Sequence, residues 1–147
     1  MVQTNIGYAS DLTALETYTR LQDNNPAALV DVRTQAEWTF VGVPDLRSIA
    51  GEPILVEWQG FPSSGPNPYF VRDLSELLAQ KGLDQDASIY FLCRSGARSQ
   101  AAAIALTQAG YSRCFNISDG FEGPLDGDGH RGTNSGWKAA GLPWIQS

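Results

Sequence analysis

The sequence predicts an α/β fold with a mainly parallel sheet, and three observations carry that expectation. Short apolar runs at 27–32, 53–58, 87–92 and 113–117 have strand length. Helical periodicity occupies segments between them, at 11–21, 70–79 and 100–106. Strands alternating with helices in this way imply parallel pairing through crossover helices. Leu12, Leu15, Tyr18 and Leu21 recur near helical spacing, with Ser10 as the expected N-cap and Asn24-Asn25-Pro26 as the stop. Residues 27–32 then read as a buried strand, 34–40 as a short helix and 53–58 as a second strand. The Pro/Gly-rich stretch 60–68 reads as a surface connection. Residues 70–79 are amphipathic and close at Gly82. A strand at 87–92 leads into a helix that ends near Gly110, and another strand follows at 113–117. A Gly-rich loop at 123–136 and a short helix around 137–140 complete the chain, with no internal repeat.

The chain has 147 residues, 42% hydrophobic and 18% charged, an ordinary globular balance with enough length for its own core. Its formal net charge of -6 makes it a poor general partner for nucleic acid or an anionic membrane. Two cysteines, Cys93 and Cys114, do not make a disulfide framework, and with the single His130 they lack metal-ligand spacing. No metal or other cofactor is implied. No apolar run approaches the roughly 20 residues that span a bilayer, and the first residues lack the pattern of a signal peptide. The expectation is a soluble, cytoplasmic protein.

Chemistry concentrates in Cys93-Arg94-Ser95-Gly96-Ala97-Arg98-Ser99. This heptapeptide stands where the strand at 87–92 stops and a helix starts, with two arginines inside one tight turn. A helix N-terminus presents unpaired N–H groups and about half a positive charge. That environment favours an anionic sulfur and an anionic reagent. Arg94 is expected to face the incoming reagent and Arg98 to brace the loop. Gly96 permits a curled backbone, and Ser95 and Ser99 can add hydroxyl donors.

The same loop resembles the Cys-Arg-Ser-Gly-x-Arg active-site loop of the rhodanese sulfurtransferases. Asp31-Val32-Arg33-Thr34-Gln35-Ala36-Glu37-Trp38 is similar to that family's Asp-Val-Arg-x-x-x-Glu-aromatic motif, and Asn116-Ile117-Ser118-Asp119-Gly120-Phe121 to its Asn-x-x-Gly-Gly stretch, with Asp119 in place of the first Gly. Gly42-Val43-Pro44-Asp45-Leu46 departs from the family's Gly-His-Ile-Pro-Gly-Ala. The resemblance implies a single rhodanese-like domain over 5–145, built on a five-stranded, mainly parallel sheet with helices on both faces. It also implies that Cys93 carries sulfane sulfur as a persulfide. The donor would be thiosulfate or a protein persulfide, and the acceptor a thiol or cyanide.

Sites in such folds form beyond the carboxyl ends of the strands, so Arg33, Trp58, Cys93 and the 119–121 turn are expected on one rim. Asp31 reads as structural. Arg33 reads either way, and Trp58 and Phe121 as apolar walls or core. Cys114 reads as an inert buried residue, with a resolving cysteine as the alternative. The competing enzyme class is a cysteine-dependent phosphatase or arsenate reductase, whose loops resemble Cys-x5-Arg. Here four residues separate Cys93 from Arg98, a smaller cradle suited to one sulfur atom. Such an enzyme also needs a general acid, and Asp119 and Asp126 are its candidates. A non-catalytic binding module of the same fold would have no need of the cysteine.

Overall fold

The computed structural model describes residues 6–23, 25–49, 51–59 and 65–146. Five strands form one all-parallel sheet in the order β1-β6-β5-β2-β4. They are β1 (Ser10–Leu12), β2 (Ala27–Asp31), β4 (Ile54–Leu55), β5 (Ser88–Leu92) and β6 (Cys114–Ile117). The helices are α1 (Ala14–Leu21), α2 (Gln35–Val41), α3 (Phe70–Gln80) and α4 (Ala97–Gln108). A separate two-residue ladder pairs β3 (Val43–Pro44) with β7 (Trp144–Ile145).

The central strands are buried on both faces, which is why they read as continuous apolar runs. Alternation along them divides the core. Ala28, Val30, Ile89, Phe91 and Cys114 join Phe70, Leu74, Leu78, Ala102, Ala103 and Leu106 of α3 and α4 on one face. Leu29, Tyr90, Leu92, Phe115 and Ile117 pack with Ala14, Leu46 and Trp137 on the other. Each fully buried Leu, Ile or Phe contributes about 1.5–3 kcal/mol, so these two layers dominate the stability of the sheet.

Four expectations are corrected. Helix α1 is capped by Thr13, not Ser10. The Thr13 side chain accepts from Glu16 N and Glu16 returns a bond to Thr13 N, a reciprocal capping box. Ser10–Leu12 instead pairs with 115–117 as the edge strand. The strand expected over 53–58 is regular only at Ile54–Leu55, although Val56 N and Trp58 N still donate to Asp31 O and Val32 O. Residues 137–140 make a turn, not a helix, bounded by the left-handed Gly136 and Gly141. The ladder β3–β7 and a 3-10 turn at Arg47–Ile49 stand where no element was expected. Of the loop at 60–68, residues 60–64 lie outside the described residues.

Candidate active site

Strand β5 is buried along its whole length and delivers Cys93 to its carboxyl end with 1% exposure. The chain then curls within four residues into α4. Gly96 makes the curl at φ 109°, and its N–H donates to Cys93 Sγ at 3.1 Å. A Cβ at Gly96 would sit 2.5 Å from Ser118 O, so both backbone conformation and space require glycine here. Ser95 is half-buried and Ala97 exposed. Ser99, in the first turn of α4, is fully buried, with Oγ 3.2 Å from Cys93 Sγ. Ser99 Oγ also donates to Asn116 Oδ1 at 2.6 Å, and Asn116 Nδ2 donates to Asp11 Oδ1 at 3.0 Å.

The segment after β6 holds the other side of the curl. Phe121 N donates to Cys93 O at 2.8 Å, and Glu122 N and Gly123 N share Arg94 O at 3.0 and 3.1 Å. Gly120, left-handed at φ 69°, presses its backbone against the Arg94 carbonyl, where no side chain fits. Asp119 ties this segment to its neighbours: Oδ1 accepts Ala14 N at the start of α1, and Oδ2 accepts Gly136 N. Both its oxygens are thus committed to backbone donors. Asp126 is committed too, accepting from Asp128 N, His130 N and Thr133 Oγ1 within its own exposed loop.

The two loop arginines differ in setting. Arg98 makes a bidentate pair with Glu37, Nη1–Oε1 2.6 Å and Nη2–Oε2 3.0 Å, with both side chains about one-fifth exposed. Glu37 is also the capping-box residue of α2, receiving Thr34 N. Burial alone would raise its carboxyl, but the Arg98 guanidinium, the Thr34 N–H and the nearby Arg33 charge bring it down to about 2. Glu37 in turn raises Arg98. Arg94 is exposed and has no ion-pair partner among the described residues. It lines a cavity of about 590 Å³ together with Thr34, Glu37, Phe40, Arg98 and Arg131.

Asp31 and Arg33, like Cys93 itself, do not line this cavity. Both are fully buried and joined by Arg33 Nη2–Asp31 Oδ2 at 2.6 Å, with Arg33 Nη2 also donating to Gly42 O. The Arg33 guanidinium stacks over Phe121 at 4.2 Å, and its Nη1 has no hydrogen-bond partner among the described residues. Phe121 is entirely buried, and Trp58 packs edge-on against Phe70 at 5.0 Å. Neither of these aromatic rings lines the cavity; Phe40, 76% exposed, does. Cys114 pairs in register with Ile89, four residues before Cys93. At about 3.3 Å per strand residue the two sulfurs are roughly 13 Å apart, too far for a disulfide. Burial pushes the Cys114 thiol up to about 11, which keeps it protonated and unreactive.

Comparison with known proteins gives this geometry its family. A family model described as the STR4 middle domain matches residues 9–147. A sulfurtransferase of Allochromatium vinosum is 33% identical over 101 residues, covering 69% of this chain and 74% of that protein. The chain belongs to the rhodanese-like family. The chain is also similar to the crystal structure of Rv0390 from M. tuberculosis, with a TM-score of 0.82, 48% identity, and coverage of 95% of this chain and 99% of that one. An uncharacterised protein of Rickettsia conorii is 39% identical over 134 residues, 91% of this chain and 95% of its own. The family is of sulfurtransferase type. Among the described residues of this rhodanese-like chain, no helix is long and apolar enough to cross a membrane.

Several residues of the site were not singled out from sequence. Glu37 stands in a motif quoted above, and the Thr34-x-x-Glu37 spacing signals its capping box, but nothing local announces its pairing with Arg98. Arg131 and Glu122 reach the cavity from loops of no fixed pattern. Asn116 had one legible signal, a polar residue inside a buried strand, which must find hydrogen-bond partners.

Proposed function

We propose that this chain is a sulfurtransferase of the thiosulfate type, acting through a persulfide on Cys93. The observation that carries the reading is the seat of Cys93 Sγ, which receives the Gly96 N–H at the start of α4, in a loop whose Arg94 and Arg98 line the adjoining cavity. The Cys93 thiolate attacks the outer sulfur of thiosulfate. The S–S bond breaks, sulfite leaves with the bonding pair, and the cysteine holds one extra sulfur as Cys–S–S⁻. A thiolate or cyanide acceptor then attacks that outer sulfur and releases the Cys93 thiolate. Ser95, Gly96, Ala97 and Ser99 form the cradle around the transferred sulfur, where fixed backbone donors cost no reorganisation. Asp31, Arg33, Trp58 and Phe121 support it from beneath or beside. A protein persulfide is the other donor that fits an open, arginine-lined mouth. The protein acts as one rhodanese-like domain over 5–145 in the cytoplasm, without nucleic acid or membrane as a partner.

Arg94 binds the anionic donor and Arg98 holds the loop, because Arg94 has no ion-pair partner among the described residues and Arg98 is clamped by Glu37. Arg94→Ala should therefore raise KM for thiosulfate by about tenfold, the scale of one charge-assisted contact, and leave the melting temperature within a degree or two. Steady-state kinetics beside thermal melts check this; a fall in melting temperature with unchanged KM would reverse the assignment.

The short loop also separates sulfur from phosphorus chemistry. Wild-type protein should form thiocyanate from thiosulfate and cyanide and leave aryl phosphates intact. Inserting one Gly between Ala97 and Arg98 should weaken sulfur transfer by displacing α4 from the curl. Cys93-dependent hydrolysis of an aryl phosphate by the unmodified protein would favour the phosphatase reading instead.

A further inference from the structure

The hydrogen bonds behind Cys93 have a direction, and that direction is set from the far edge of the sheet. An ionised carboxylate can only accept. Asp11 Oδ1 accepts from Tyr8 Oη at 2.8 Å and from Asn116 Nδ2 at 3.0 Å. Asn116 must therefore turn its amide nitrogen to Asp11 and its oxygen to Ser99. The Ser99 hydroxyl has one hydrogen, and it goes to Asn116 Oδ1 at 2.6 Å. What Ser99 then offers Cys93, 3.2 Å away, is a lone pair. A lone pair accepts S–H and repels S⁻. The amide of Asn116 passes on this polarity but no proton, so the chain is not a proton wire.

We propose that Ser99 is a two-position hydrogen-bond switch whose resting position is imposed by Asn116 and Asp11, acting as positioning residues. This rests on the reading of Cys93 as the reacting sulfur. At rest, the Ser99 hydrogen is held by Asn116, and Ser99 turns a lone pair toward Cys93 Sγ while the Gly96 N–H donates to it. Once the sulfur is anionic, the Ser99 hydrogen turns from Asn116 to Sγ and joins the Gly96 N–H as a second donor. Adventitious electrophiles thereby meet a sulfur whose negative charge Ser99 does not stabilise until the switch turns.

The test is peptide-resolved labelling with iodoacetamide at neutral pH, which reads thiol reactivity whether or not the protein transfers sulfur. Asn116→Ala removes the acceptor that competes for the Ser99 hydrogen and should label Cys93 about tenfold faster, the scale of one hydrogen bond to a charged sulfur. Asp11→Lys, at an exposed position, replaces the acceptor with a donor. It turns the Asn116 amide toward Ser99 and should act in the same direction if Asn116→Ala does not fold. Both accelerations should vanish in a Ser99→Ala background. Cys114, fully buried, reports unfolding in the same sample and should stay unlabelled. Unchanged or slower labelling of Cys93, acceleration that persists without Ser99, or Cys114 labelling that rises in step would each overturn the switch.

Discussion

Cys93→Ser is expected to abolish sulfur loading, while Cys114→Ser leaves it intact. Incubation of the wild-type protein with thiosulfate should add one sulfur atom to the intact mass, removable by cyanide or dithiothreitol. The contrast follows from environment, since both cysteines are almost fully buried. Cys93 stands at a strand end with an N–H donor on its sulfur, and Cys114 stands inside β6 with burial raising its thiol to about 11. A serine oxygen at position 93 is a poor nucleophile at neutral pH, so turnover should fall by at least about a thousandfold, to the level of the uncatalysed exchange. The decisive measurement is the mass of the Cys93-containing peptide before and after thiosulfate. Sulfur found on Cys114, or retained by Cys93→Ser, would move the reaction away from the α4 junction. Failure of thiosulfate alone to load Cys93, with loading by a persulfidated protein, would keep the persulfide and change only the donor.

How much of this was legible depended on how far apart in the chain the deciding residues lie. The reactive loop is seven consecutive residues, and its strand–turn–helix setting is written in the periodicity on either side. The central strands were equally plain, because burial on both faces leaves an apolar run that no partner can disguise. Strand β1 was not. Three residues, Ser10–Leu12, carry no strand pattern, and their pairing with β6 brings together positions more than a hundred residues apart. The same holds for β3 (Val43–Pro44) and β7 (Trp144–Ile145), two residues each and far apart in the chain. The helix expected at 137–140 failed for a local reason: two left-handed glycines leave room for one turn only. In the site, the alternative of wall or core for Phe121 and Trp58 falls on the core side, while Phe40 and Arg131, which line the cavity, come from a helix and a loop with no local signal for it.

The pairing of Arg98 with Glu37 joins residues 61 apart and predicts the second large effect. Arg98→Ala and Glu37→Gln should each lower both turnover and melting temperature, since the pair ties the reactive loop to α2. Glu37 titrates near 2 in the folded protein against an ordinary 4.5, with burial opposed and outweighed by Arg98, Thr34 and Arg33. A folded pKa below the unfolded one contributes stability that is fully present above about 4.5 and is lost as the pH falls through 2. At roughly 1.4 kcal/mol per unit the ceiling is on the order of 3 kcal/mol, and partial exposure of both partners reduces it toward about 1–2 kcal/mol. Melts of wild type and Glu37→Gln should thus differ by several degrees at pH 7 and converge between pH 3 and pH 2. Other carboxylates held low, Asp45 and Asp126 among them, lose their contribution in both proteins and cancel in the difference. In a double-mutant cycle, Arg98→Ala should cost little stability once Glu37 is already glutamine, because each substitution removes the same contact. A difference between the two melts that does not shrink in acid, or costs that add fully in the double variant, would show that Glu37 stabilises α2 through its cap alone and that the loop stands without it.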